Sequence, residues 1–96
     1  MKNKLKINEN NKKIIENPNE ALLSDIKKIL VKSTSLNHLY SNEVFAIITL
    51  LAVILCSNDK GEVVVNSEDE IVDFVNENFS YLKECTYNIL IKIFGN

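Results

Sequence analysis

Residues 44–56 read VFAIITLLAVILC, a run in which Thr49 is the one polar residue. A helix rises 1.5 Å per residue, so this run covers roughly 20 Å, against about 30 Å for the hydrocarbon core of a bilayer. Glu43 stops it on one side and Ser57-Asn58-Asp59-Lys60 on the other. A stretch this short reads as a core helix rather than a membrane span. Apolarity without a 3.6-residue stripe predicts burial on nearly every face, so neighbours must pack on several sides.

The rest of the chain has the means to supply them. With 96 residues and 46% hydrophobic content, it fits one domain with a modest core that requires neither metal nor disulfide. Two glycines and one proline leave little of the turn punctuation that all-β domains carry, so a mainly α fold is expected. Cys56 and Cys85, the only cysteines, fall in apolar surroundings and read as buried thiols of a reducing cytosol. No apolar segment of the secretory kind follows the basic N-terminus, so the expected location is cytoplasmic, with no membrane partner. All eleven basic residues are lysines, eight of them within residues 1–32. Nine of the thirteen acids lie in residues 33–96.

Residues 1–16 read as a basic arm, with a short hairpin across Asn8 to Asn11 as the alternative. A single helical domain then covers residues 17–96. In Asn17-Pro18-Asn19-Glu20, Asn17 suits an N-cap, Pro18 the first helical position and Glu20 the third. Leu22, Leu23, Ile26, Ile29 and Leu30 give that helix one apolar face, ending near Lys32. Residues 33–40 form a connector, after which Ser41 is expected to cap the central helix, residues 42–56. Gly61 is placed to take a positive φ, and Val63, Val64 and Val65 suggest a short extended segment over residues 62–65. Ser67 starts another helix, with Glu68, Asp69 and Glu70 in its first turn and Ile71, Val72, Phe74 and Val75 on its apolar face. It is expected to stop at Asn76-Glu77-Asn78, an asparagine turning left-handed. The last helix, from Ser80, buries Leu82, Cys85, Ile89 and Ile93. Tyr81, Leu90, Ile91 and Phe94 spread apolar surface to its other sides, which predicts a homodimer interface there.

His38 is the only histidine and has no partner at a ligand or general-base spacing. No phosphate loop, nucleophile–base pair or zinc set is present, so neither enzyme activity, a cofactor nor a metal is expected. From Ser41 onwards, the order of helix, extended segment, short helix, turn and longer helix resembles the first half of winged helix-turn-helix DNA-binding domains. The resemblance implies a scaffold helix at 42–56, a small strand at 62–65, the first motif helix at 68–75 and a recognition helix at 80–93. It also implies a DNA-associated protein, in the regulation, replication or segregation of a mobile element. The sequence departs from that pattern at Val72, where a small residue is usual, and at Asn76-Glu77-Asn78, where a glycine is usual. DNA affinity comes from cations neutralising phosphates, so Lys12, Lys13, Lys27, Lys28 and Lys83 are the candidate contacts, with Lys2, Lys4 and Lys6 beside them. Tyr87 and Asn88 are candidates for base or backbone contact. The competing reading is a non-enzymatic protein-interaction module, such as a phage or plasmid adaptor, an inhibitor or an immunity-type protein. Its partner would meet the acidic face of Glu68, Asp69, Glu70, Asp73 and Glu77, which is otherwise a solvated helix face.

Overall fold

In a computed structural model that describes residues 5–95, the chain folds into five helices: α1 Glu9–Glu16, α2 Glu20–Ile29, α3 Ser41–Cys56, α4 Glu68–Glu77 and α5 Phe79–Phe94. Helix α3 packs against each of the other four. Its Ile47, Ile48, Leu51, Ala52 and Leu55 are buried among Ile15 of α1, Leu22 and Ile26 of α2, Phe74 of α4, and Leu82, Ile89 and Leu90 of α5. The molecule is therefore a small, mainly α bundle around a central helix, as the apolar run predicts. No helix among the described residues is long and apolar enough to cross a membrane.

The first helix replaces the expected arm or hairpin. An α-helix ends with carbonyls that have no intrahelical partner, and α1 supplies partners for those of α3. The Asn8 backbone N–H donates to the Leu55 carbonyl (2.8 Å), and the Asn8 side-chain amide to the Ser57 carbonyl (2.9 Å). The Asn11 amide donates to the carbonyls of both Ile54 (2.8 Å) and Ser57 (2.9 Å). Ile15 is then fully buried, and the Tyr81 hydroxyl of α5 donates to Glu16. Asparagines that look like polar filler in the sequence are the docking groups. Lys2 and Lys4 of the expected basic arm lie outside the described residues.

Helix boundaries shift for related reasons. Asn17 closes α1, donating its N–H to the Lys13 carbonyl (2.9 Å), so it does not cap α2. Asn19 performs that role two residues later, accepting from the Leu22 N–H (2.9 Å). Helix α2 ends at Ile29 rather than near Lys32, and Tyr40, not Ser41, is the N-cap residue of α3. Gly61 has φ +79 in a turn that Asn58 closes by accepting from the N–H groups of Lys60 and Glu62 (both 2.9 Å). Residues 62–65 form no strand among the described residues, and Val64 is 77% exposed. A lone β-branched segment with no neighbouring strand has nothing to pair with.

Helices α4 and α5 meet at one residue, Asn78, which closes the first and opens the second with φ −114. The expected three-residue, left-handed stop is absent, because the Asn78 amide and N–H both donate back to the Phe74 carbonyl (2.9 and 3.1 Å). Val72, assigned to the apolar face of α4, is 55% exposed, and Leu90, assigned to a dimer interface, is fully buried. Leu90 is covered within the chain itself, where α5 packs against α2, α3 and α4, while Ile91 beside it stays 53% exposed.

Candidate interaction face

Although α3 is the most apolar element, the other four helices do not enclose it. Ile47, Ile48, Leu51, Ala52 and Leu55 point inward, but Phe45 is 55% exposed, and Asn42, Ala46 and Thr49 are also exposed. Leu50 and Val53 beside them are only partly covered. Positions 42, 46, 49 and 53 lie four, three and four residues apart, so they line one stripe along the helix. The Thr49 hydroxyl donates to the Phe45 carbonyl (2.9 Å), which satisfies the one polar group in the apolar run without a partner.

At its N-terminal end the stripe opens into a cleft of about 210 Å³ between α3 and α5. Leu39, Val44, Phe45, Ile48 and Phe79 make its walls, while Ser41, Lys83 and Tyr87 bring the polar groups. The Phe45 and Phe79 rings lie 6.1 Å apart between centroids with their planes 35° apart, a tilted aromatic pair at the cleft. Among the described residues, none forms an ion pair with Lys83. Its ammonium stands at the rim of an apolar cleft.

A buried carboxylate fixes the approach to this end of α3. Glu43, 6% exposed, accepts from the N–H of Lys32 (2.9 Å), the N–H of Ser33 (3.0 Å) and the Ser33 hydroxyl (2.5 Å). The Ser33 oxygen in turn accepts from the Tyr40 N–H (3.1 Å). The Ser33 hydroxyl bond, against an opposing desolvation and with help from the backbone donors, holds the Glu43 carboxyl below its ordinary value. The connector between α2 and α3 is thereby tied to the first turn of α3, which places Leu39 at the cleft.

The sequence-derived candidates scatter over the surface. Lys13, Lys27 and Lys28 are exposed, whereas Lys12 pairs with Glu9 (3.0 Å) and lies 5.9 Å from the Tyr81 ring centroid. Lys83 and Tyr87 line one side of the cleft and, with Ser80, Glu84 and Asn88, lie on the exposed face of α5. On α4, Glu68, Asp69, Asp73 and Glu77 are exposed. Glu70 is partly covered and bonds locally, accepting from the Asn66 N–H (2.9 Å). Of the expected interface residues, Ile91 is 53% exposed, while Tyr81 and Phe94 pack partly against the core. His38 sits exposed in the connector. Burial pushes both thiols up from their ordinary value, so Cys56 and Cys85 are poor nucleophiles near neutral pH. Among the described residues, no group of three or more His, Cys, Asp and Glu could hold a metal ion. Every buried side-chain nitrogen and oxygen in the described residues has a hydrogen-bond partner.

Continuous apolarity in the sequence hides the exposed side of α3. Residue choice carries part of the signal: the stripe holds Asn42, Ala46 and Thr49, although Ala52 and Glu43 of the same helix are buried. Comparison with protein-family models, with curated proteins and with solved structures gave no match.

Proposed function

We propose that this protein is a non-enzymatic protein-interaction module that engages its partner through the uncovered side of α3 and the adjoining cleft. The observation that carries this reading is the exposure of Phe45 and the stripe beside it on the element with the strongest demand for burial. A large apolar side chain more than half exposed, continuous with a concave apolar wall, is the arrangement expected of a docking surface. The polar groups at the cleft, one ammonium, one phenol and one hydroxyl, suit orientation of a bound group. The exposed acids of α4, Glu68, Asp69, Asp73 and Glu77, would favour the approach of positive groups on a partner.

Affinity capture with tagged wild-type protein and with Phe45→Asp tests the reading. A partner retained by the wild type and lost by the folded variant supports it. A partner retained equally by both places the interaction elsewhere.

A DNA-associated role is the second reading, and exposed Lys13, Lys27 and Lys28 support it. The one-residue junction between α4 and α5 gives it less support, since helix-turn-helix units use a turn of three or four residues. Titration of mixed DNA fragments from low to physiological salt decides it. Binding that weakens steeply with salt and disappears in Lys27→Glu/Lys28→Glu supports DNA association, whereas no binding at low salt ends it.

A further inference from the structure

We infer that the occupant of the exposed α3 face is a second copy of this chain, the two α3 helices lying antiparallel across a two-fold axis between Ala46 and Thr49. This rests on the reading of α3 as the interaction face and names its partner.

The stripe is its own complement. A two-fold axis that reverses α3 between residues 47 and 48 exchanges position 46 with 49 and position 42 with 53. The set Asn42, Ala46, Thr49 and Val53 maps onto itself, as an isologous interface requires. The small residues Ala46 and Thr49 meet at the centre, where two helix backbones must approach most closely. Phe45 of one copy falls opposite half-buried Leu50 of the other. Antiparallel alignment also sets the two helix dipoles against each other favourably.

Charge points to the same arrangement. Reversal of α3 brings the loop that follows its C-terminus in one copy toward the cleft at its N-terminus in the other. That loop carries Asp59 and Glu62 against one cation, Lys60, and it presents exposed Val64. Across from it stands Lys83, the ammonium that no described residue neutralises. Among the described residues, the Glu62 side chain likewise makes no ion pair. An anionic loop with an apolar tip is the counterpart of an apolar cleft with a cationic rim.

The test is the mass in solution over a concentration series, by sedimentation equilibrium, for wild type, Lys83→Glu, Glu62→Lys and the double variant. Circular dichroism confirms that each is folded, and all substituted positions are exposed. The expected result is a wild-type dimer, each single reversal weakening it about tenfold and the double variant restoring it. A wild-type dimer that both single variants leave unchanged overturns the proposed register. A wild type that stays at 10.9 kDa overturns the proposal of a second copy. If that monomer still captures another protein through Phe45, the interaction reading stands with a different partner. If it captures nothing through Phe45, both fail.

Discussion

Replacing Asn11 by alanine removes two side-chain hydrogen bonds, to the carbonyls of Ile54 and Ser57, and fills no space. Each carbonyl keeps some satisfaction: the Ser57 carbonyl still receives the Asn8 amide, and the Ile54 carbonyl the Ser57 N–H at 3.2 Å. The loss is therefore nearer the net worth of two bonds than the penalty for orphaned groups, about 1–2 kcal/mol. Alanine's better helix propensity returns roughly 0.5 kcal/mol of this at most. With about 2.1 cal/mol/K of unfolding entropy per residue, a 96-residue chain loses about 5 °C of Tm per kcal/mol. Asn11→Ala should melt about 3–8 °C below wild type. Asn10→Ala, at an exposed position of the same helix, should melt within about 2 °C of wild type. Thermal unfolding followed by far-UV circular dichroism reads both. An Asn11→Ala protein with the wild-type Tm would refute the argument that α1 is held by capping the C-terminus of α3.

Leu90→Ala should cost about 2–5 kcal/mol in urea unfolding because its side chain is fully buried, while Ile91→Ala, at a position 53% exposed, should stay within about 0.5 kcal/mol of wild type. Equal effects at the two positions would remove Leu90 from the core. Glu43 has its carboxyl lowered in the folded state, so its stabilising effect is complete above the ordinary value of 4.5 and fades as pH falls through the lower folded value. The difference in Tm between wild type and Glu43→Gln should be constant near pH 7 and shrink steadily below about pH 4; a difference independent of pH would refute the charged network. Cys85, 5% exposed with its thiol pushed up by burial, should react with iodoacetamide at least about a hundredfold faster after denaturation than before, as read by mass spectrometry.

Much of the architecture was legible from periodicity and punctuation. The length and composition of residues 44–56 led to a buried central helix, and the clustered acids after Ser67 marked the start of α4. Gly61 marked a turn that does require a positive φ. What stayed hidden depended on tertiary partners. Nothing local distinguishes Asn8 and Asn11 as docking groups from asparagines of a solvated arm; the distinction exists only once the last turn of α3 lies beside them. The two asparagines flanking Pro18 are equivalent by cap preference, and α1 decides between them by taking Asn17 for its own end. Leu90 looks surplus beside the face of Leu82, Cys85 and Ile89; packing of α5 against α2, α3 and α4 is what buries it, while Ile91 stays exposed. On the functional side, Lys83 and Tyr87 were legible as candidates. Their meeting with Phe45 and Leu39 in one cleft, and the exposed stripe beside it, depend on which side of α3 the bundle leaves open.

The most direct test of the account is the mass of Ala46→Glu in solution, measured beside wild type over the same concentrations. Ala46 is exposed, so the variant should fold and melt close to wild type. If α3 pairs with its copy through this stripe, a carboxylate at its centre leaves the variant a monomer of about 10.9 kDa where wild type is twice that mass. A variant that dimerises as wild type does would contradict the claim that two copies meet through this side of α3.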